Sequence, residues 1–142
     1  MLNRMIYIST AVGPITTTVT GTILRSAQAY NTANGITGVL CQGRGVYLQV
    51  LEGEKNRIES LYERIVLDKR HNNLALRQQQ DVNRRRYGSW AMAHVDMSHL
   101  EDHQVGHSHQ ITFDPYLATA DDVMAKIDAL IAAGKVMDAP VI

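Results

Sequence analysis

One cysteine, Cys41, is all that 142 residues provide, so the chain has no internal disulfide framework and no multi-cysteine zinc site. There is no excess charge of either sign. Fourteen Lys and Arg balance fourteen Asp and Glu, which leaves no global field to favour nucleic acid or acidic lipid. No apolar run approaches the roughly 18–20 residues needed to span a bilayer, and the N-terminus lacks the apolar core of a signal peptide. Internal repeats and low-complexity segments are absent as well. What remains, with 45% hydrophobic and 20% charged residues, is the composition of a folded soluble domain in a reducing, cytoplasmic compartment. Its length suits one domain, since domains run roughly 100–200 residues.

The apolar pattern orders the elements. Met5 to Thr10 is β-branched and aromatic and ends at Gly13-Pro14, which predicts a strand with Tyr7 facing away from Ile6 and Ile8. Val19, Ile23, Leu24 and Ala27 recur at helical spacing, predicting a helix from about Thr17 to Tyr30, with turn chemistry from Asn31 to Gly35. Ile36–Cys41 and Val46–Leu51 flank a short Gly-bearing loop and read as an antiparallel hairpin. Ile58, Leu61, Tyr62, Ile65 and Val66 stripe a second helix over Lys55–Asp68. Leu74–Gln80 is a weaker strand signal. Trp90–Val95 is a better one, with Trp90, Met92 and His94 on one face. The order β-α-β-β-α-β-β predicts a ferredoxin-like α/β (α+β) fold with both helices on one sheet face. Residues 1–95 form that domain. Residues 96–142 form an extension whose helix is capped by Thr119, striped by Val123, Ile127, Leu130 and Ile131, and stopped at Gly134. Its stripe must be buried on this sheet or on a partner.

Pattern alone leaves the polar residues open. By pattern alone Tyr7 reads as a core strand residue, and Gln49 as an edge residue facing water. Arg64, Asp68 and Arg70 read as a solvated helix terminus. Arg84-Arg85-Arg86 suggests a nucleic-acid contact or a solvated loop. His99, His103 and His107 are spaced four apart, a possible metal column, but Gly106 interrupts the helix and no further ligand completes a set, so no metal is expected.

Five segments taken together resemble the BLUF family, blue-light sensors that use FAD. They are Ile6-Tyr7-Ile8-Ser9, Asn31-x-x-Asn34-Gly35-Ile36-Thr37-Gly38, Tyr47-Leu48-Gln49-Val50-Leu51-Glu52-Gly53, Ile65-x-x-Asp68-x-Arg70-His71, and Trp90-x-Met92. The resemblance runs from Met1 to about Val95, and the tail beyond it is similar to that of short family members. It implies non-covalent FAD between the two helices, with Ile23 and Ile65 as walls. Asn31 would meet the C4 carbonyl and N3–H, and Arg64, Asp68 and Arg70 the pyrimidine and ribityl side. It also implies a switch in which Tyr7 loses an electron and a proton and Gln49 rearranges, with Trp90 and Met92 as relay. No substrate turns over, so the chain is expected not to be an enzyme. The chain is expected to be a homo-oligomer, and its output a separate downstream signalling protein or a change of that oligomer, with no direct nucleic-acid or membrane contact.

Two other functions fit the fold class. One is an acylphosphatase-type hydrolase using Arg25 and Asn31, although the sequence lacks a Gly-rich phosphate loop. The other is a light-inert flavin-binding adaptor, which the intact Tyr7 and Gln49 pair disfavours. Cys41 invites a flavin–thiol adduct, but its hairpin context reads as a small core residue.

Overall fold

The computed structural model describes residues 1–14, 16–98 and 116–138. Its elements are β1 (Leu2–Ala11), α1 (Thr17–Asn34), β2 (Thr37–Gly43), β3 (Val46–Glu54), α2 (Lys55–Val66), β4 (His71–Asp81), β5 (Ala93–Asp96), α3 (Ala120–Ala132) and β6 (Val136–Asp138). The sheet order is β4-β1-β3-β2-β5-β6. β3 and β2 are its two middle strands, and β1 lies between β3 and the edge strand β4. All pairings are antiparallel except β2 with β5, which run parallel. This is the expected ferredoxin-like arrangement, extended by a sixth strand of three residues, Val136–Asp138, too short to show a period in the sequence.

Because β1 and β3 are covered on both faces, their side chains alternate between two cores rather than between core and water. Ile6, Ile8, Leu48 and Val50 enter one core with Val39, Cys41, Val123 and Ile127. Met5, Tyr7, Tyr47 and Leu51 enter the other with Leu24, Leu40, Ile58 and Met92, and against it lie Ile23, Leu61 and Ile65 of α1 and α2. The tail helix α3 therefore packs on this chain's own sheet, opposite α1 and α2, and β6 pairs with β5. The boundary expected at residue 95 falls inside β5.

Local chemistry sets the ends. Thr16 caps α1 by accepting from the Val19 N–H at 3.1 Å. The helix then runs four residues past the expected Tyr30, through residues with turn character. Asn34 bonds back to the Tyr30 carbonyl at 2.8 Å, and Gly35, at φ 65°, provides the left-handed stop. Asn31 therefore lies in the last turn of α1 rather than beyond it. α2 ends at Val66, two residues short of the expected Asp68. β4 is longer than its apolar core suggests, because it is an edge strand with polar residues. At Gly38, a Cβ would stand 2.0 Å from the Val50 carbonyl oxygen, so β2 approaches β3 there only because the residue is glycine.

One buried charge pins the sheet to the segment that follows β4. Glu52 is fully buried and accepts from Arg4 Nε at 2.9 Å, from the Arg86 N–H at 2.8 Å and from the Tyr87 N–H at 2.7 Å. A carboxylate so placed must have its oxygens satisfied to offset desolvation, and here they are. Arg85 bonds Thr37 Oγ1 and the Glu52 carbonyl, and Arg86 pairs with Asp128. Among the described residues Arg85 and Arg86 are held in this way and Arg84 makes no such contact, so the expected solvated loop is largely an anchored one. Among the described residues, no helix is long and apolar enough to cross a membrane.

Candidate flavin site

A cleft of about 170 Å³ opens between α1 and α2 above the sheet. Ile23, Ala27, Tyr30 and Asn31 line it from α1, and Leu61, Arg64 and Ile65 from α2. Tyr7, Leu40, Tyr47 and Gln49 form its floor, while Asp68, Arg70 and His71 flank it beyond α2. This volume is below the roughly 300–1,000 Å³ of pockets that engulf a drug-sized ligand. A ligand of FAD's length would therefore extend beyond this space. Tyr7, Ile23, Asn31, Gln49, Arg64, Ile65, Asp68 and Arg70, drawn from four separate sequence segments, all border this one space. Trp90 and Met92 do not line it.

On the floor, Tyr7 and Gln49 are direct cross-strand partners of β1 and β3. The Tyr7 hydroxyl donates to Gln49 Oε1, and Gln49 Nε2 donates to Met92 Sδ at 3.3 Å. Both residues are almost fully buried. Burial, then the Asp68 charge, then Tyr62 push the Tyr7 phenol far above its ordinary range, so it stays protonated. Tyr62 meets its ring edge-on at 5.9 Å.

At the α1 wall, Asn31 is fully buried. Its Nδ2 donates to the Ala91 carbonyl at 2.8 Å, while Oδ1 has no hydrogen-bond partner in the described structure. An orphaned buried acceptor costs about 1–3 kcal/mol unless a ligand donor meets it. That is an independent structural reason to expect a polar-edged guest. Together with two aliphatic walls and the Tyr7–Gln49 pair, it fits an isoalloxazine ring, which is flat and apolar with donors and acceptors along one edge.

The mouth is charged. Asp68 accepts from Arg70 through both carboxylate oxygens, at 2.5 Å from Nη2, and also from the Arg70 N–H. The guanidinium beside it holds the Asp68 carboxyl below the usual range. Arg64 stacks on the Tyr30 ring at 4.4 Å. His71 closes one side, its Nδ1 2.6 Å from Ser9 Oγ and its Nε2 2.8 Å from the Ile65 carbonyl. A carbonyl can only accept, so Nε2 carries a proton and donates to Ile65.

Several lining residues were not singled out from sequence. His71 ends the same run as Asp68 and Arg70, and that adjacency was the available signal. Tyr47 is two residues from Gln49, on the same strand face. Tyr30 and Leu61 carry no signal beyond helical periodicity. Conversely, the expected strand over Trp90–Val95 begins only at Ala93. The irregular backbone before it sends Trp90 and Met92 to opposite sides. Trp90 stacks on Tyr87 in the α3 core, with centroids 6.5 Å apart, while Met92 enters the cleft-side core. Arg25 lies on the exposed side of α1, bonded to Thr22, and does not line the cleft with Asn31. Cys41 is buried beneath α3, across the sheet from the cleft, so a thiol adduct there is geometrically excluded. His99, His103 and His107 lie outside the described residues.

Residues 2–93 match a family described as BLUF, sensors of blue-light using FAD. Over 88 residues the chain is 39% identical to photoactivated adenylate cyclase subunit alpha-like protein FB of Euglena gracilis, covering 62% of this chain and 9% of that protein. Photoactivated adenylate cyclase subunit beta of the same organism is 34% identical over 92 residues, 64% of this chain and 11% of its own length. The chain thus spans about a tenth of these curated relatives. Among solved structures, BlsA in its ground state superposes with a TM-score of 0.80 at 26% identity, over 92% of this chain and 88% of that one. A bacterial light-regulated adenylyl cyclase superposes with a TM-score of 0.66 at 25% identity, over 94% of this chain and 35% of that one.

Proposed function

This chain belongs to the BLUF family of blue-light sensors, and from that membership we propose that it binds FAD in the α1–α2 cleft and switches by rearranging Gln49. The observation that carries the reading is the buried chain of Tyr7 hydroxyl, Gln49 carboxamide and Met92 thioether at the floor of that cleft. Ile23 and Ile65 are the walls for the ring, and Asn31 Oδ1 is an acceptor for its polar edge. Arg64, Asp68 and Arg70 hold the pyrimidine and ribityl side.

The chemistry supplied by a bound isoalloxazine is absorption of blue light and, in the excited state, electron acceptance. Tyr7 is the donor. Its phenol is too buried to ionise alone, so the proton leaves with the electron, along the bond already made to Gln49 Oε1. Electron and proton then return to Tyr7, and Gln49 is left rotated or as its tautomer. Met92 distinguishes the two arrangements. Its sulfur accepts weakly from an N–H, and a rotated amide would present it with an oxygen, which offers no donor. The reoriented amide would offer its N–H to the polar edge of a bound ring, and the expected readout is a small, dark-reversible red shift.

Nothing is turned over in this cycle, so the chain acts as a sensor rather than an enzyme. Its signal passes to a protein partner in the cytoplasm or to a second copy of the chain. The hydrolase alternative lacks support, because Arg25 and Asn31 do not converge. The test is direct. The purified chain should be yellow, release FAD on denaturation, and shift red reversibly under blue light. A colourless chain, or a yellow one inert to light, defeats the proposal.

A further inference from the structure

Residues 86 and 87 are held between two carboxylates on different elements. Their backbone N–H groups donate to Glu52 on β3. Their side chains donate to Asp128 on α3. Arg86 Nε reaches Oδ2 at 3.1 Å, and the Tyr87 hydroxyl reaches Oδ1 at 2.8 Å. From there the backbone leads to the cleft within five residues. Trp90 stacks on Tyr87, the Ala91 carbonyl accepts from Asn31, and Met92 accepts from Gln28 through its carbonyl and from Gln49 through its sulfur. One short segment is thus bonded at one end to two cleft residues and at the other to the helix on the far face of the sheet.

The two carboxylate grips differ in stiffness. Glu52 is wholly buried and ion-paired with Arg4, so it fixes the backbone. Asp128 and Arg86 are 41% and 43% exposed, a pair that water can readily replace. A displacement of residues 91–92 is therefore resisted at Glu52 and yields at Asp128. We propose that Asp128 is the positioning residue through which the rearrangement of Gln49 is transmitted to α3. α3 is then the element whose packing differs between light and dark. This rests on the switch proposed above.

The experiment is hydrogen–deuterium exchange of the flavin-loaded full chain, in darkness and under blue light, with visible spectra recorded on the same samples. In the unaltered chain, residues 120–132 should exchange faster in light. In Asp128→Ala the red shift should persist, while the light-minus-dark difference in α3 is lost. Tyr87→Phe removes only the hydroxyl and keeps the Trp90 stack, so it serves if Asp128→Ala folds poorly. It should reduce the same difference. A light-minus-dark difference in α3 unchanged in both variants overturns the assignment, as does a red-shifting chain with no α3 response. Loss of the red shift in a folded variant also overturns it, because the clasp would then belong to the switch itself. If the unaltered chain shows no red shift, the switch reading is what fails.

Discussion

The two faces of the sheet are built from the same strands but by opposite rules. On the α3 side, Ile6, Ile8, Val39, Leu48 and Val50 close over Val123 and Ile127 in an apolar core. On the other side, neighbouring positions of the same strands place Tyr7 and Gln49 beneath a cleft whose wall carries a buried Asn31 with an unmet acceptor. Burying polar groups without full pairing costs stability, which apolar packing on both faces must offset. One face is closed by apolar packing alone. The other keeps a site in which a guest completes the hydrogen bonding.

That contrast can be broken from either side. The largest expected effect is functional. Tyr7→Phe removes one hydroxyl, should leave flavin bound, and should abolish the red shift entirely. Visible difference spectra check this, and a normal shift would refute Tyr7 as donor. Gln49→Leu should behave alike, for want of an amide to reorient. The closed face should answer in stability instead. Leu48→Ala, at a fully buried site, should cost about 2–5 kcal/mol in denaturant unfolding. The molecules that remain folded should show an unchanged red shift. A Leu48→Ala protein of normal stability but altered spectrum would mean that the two faces do not divide the work as described.

Much of this was legible in the residues, and what was not has physical causes. Alternation in β1 and β3 separated Tyr7 and Gln49 from their neighbours, and the family motifs joined eight positions that the fold brings around one cleft. The end of α1 misled because Asn31, Thr32 and Asn34 favour turns in isolation. In the fold, Asn34 bonds back to Tyr30, and Asn31 reaches across to Ala91, contacts that no local pattern encodes. Trp90 and Met92 share the parity of a strand face, yet the strand starts after them, and they part to opposite cores. The α3 stripe demanded burial without naming a surface. Glu52 stands in the Tyr47–Gly53 motif with no role assigned to it, and only the tertiary fold shows that it ties residues 86 and 87 to the sheet.

A subtler test compares chemistry at constant volume. Met92→Leu conserves size, so it should cost less than about 1.5 kcal/mol in stability. It deletes the sulfur that accepts from Gln49 Nε2 in the dark arrangement. Leaving that N–H unmet raises the dark state relative to the switched one, by about 1 kcal/mol for a weak acceptor. Dark recovery should therefore slow by up to about fivefold, since 1.4 kcal/mol corresponds to tenfold. Recovery at the original rate would show that the thioether does not discriminate between the two amide arrangements.

The smallest effect lies at the mouth of the cleft and depends on pH. Arg70 holds the Asp68 carboxyl below its ordinary range, so the folded protein binds that proton less readily than the unfolded chain. Such a group stabilises the fold above the unfolded pKa of about 3.9, and the contribution fades as pH falls through the folded value. Both side chains are roughly a third exposed, so solvent screens much of the pairing. Stability and flavin retention should consequently be flat with respect to Asp68 from pH 5 to 8, on the scale of ordinary carboxylate titration, and should decline only below about pH 4. Asp68→Asn should remove part of that acid limb and leave the neutral-pH red shift in place. If the acid limb of flavin release is identical in the two proteins, the Asp68–Arg70 pair contributes nothing to holding the mouth, and retention rests on the Ile23 and Ile65 walls and the buried amides.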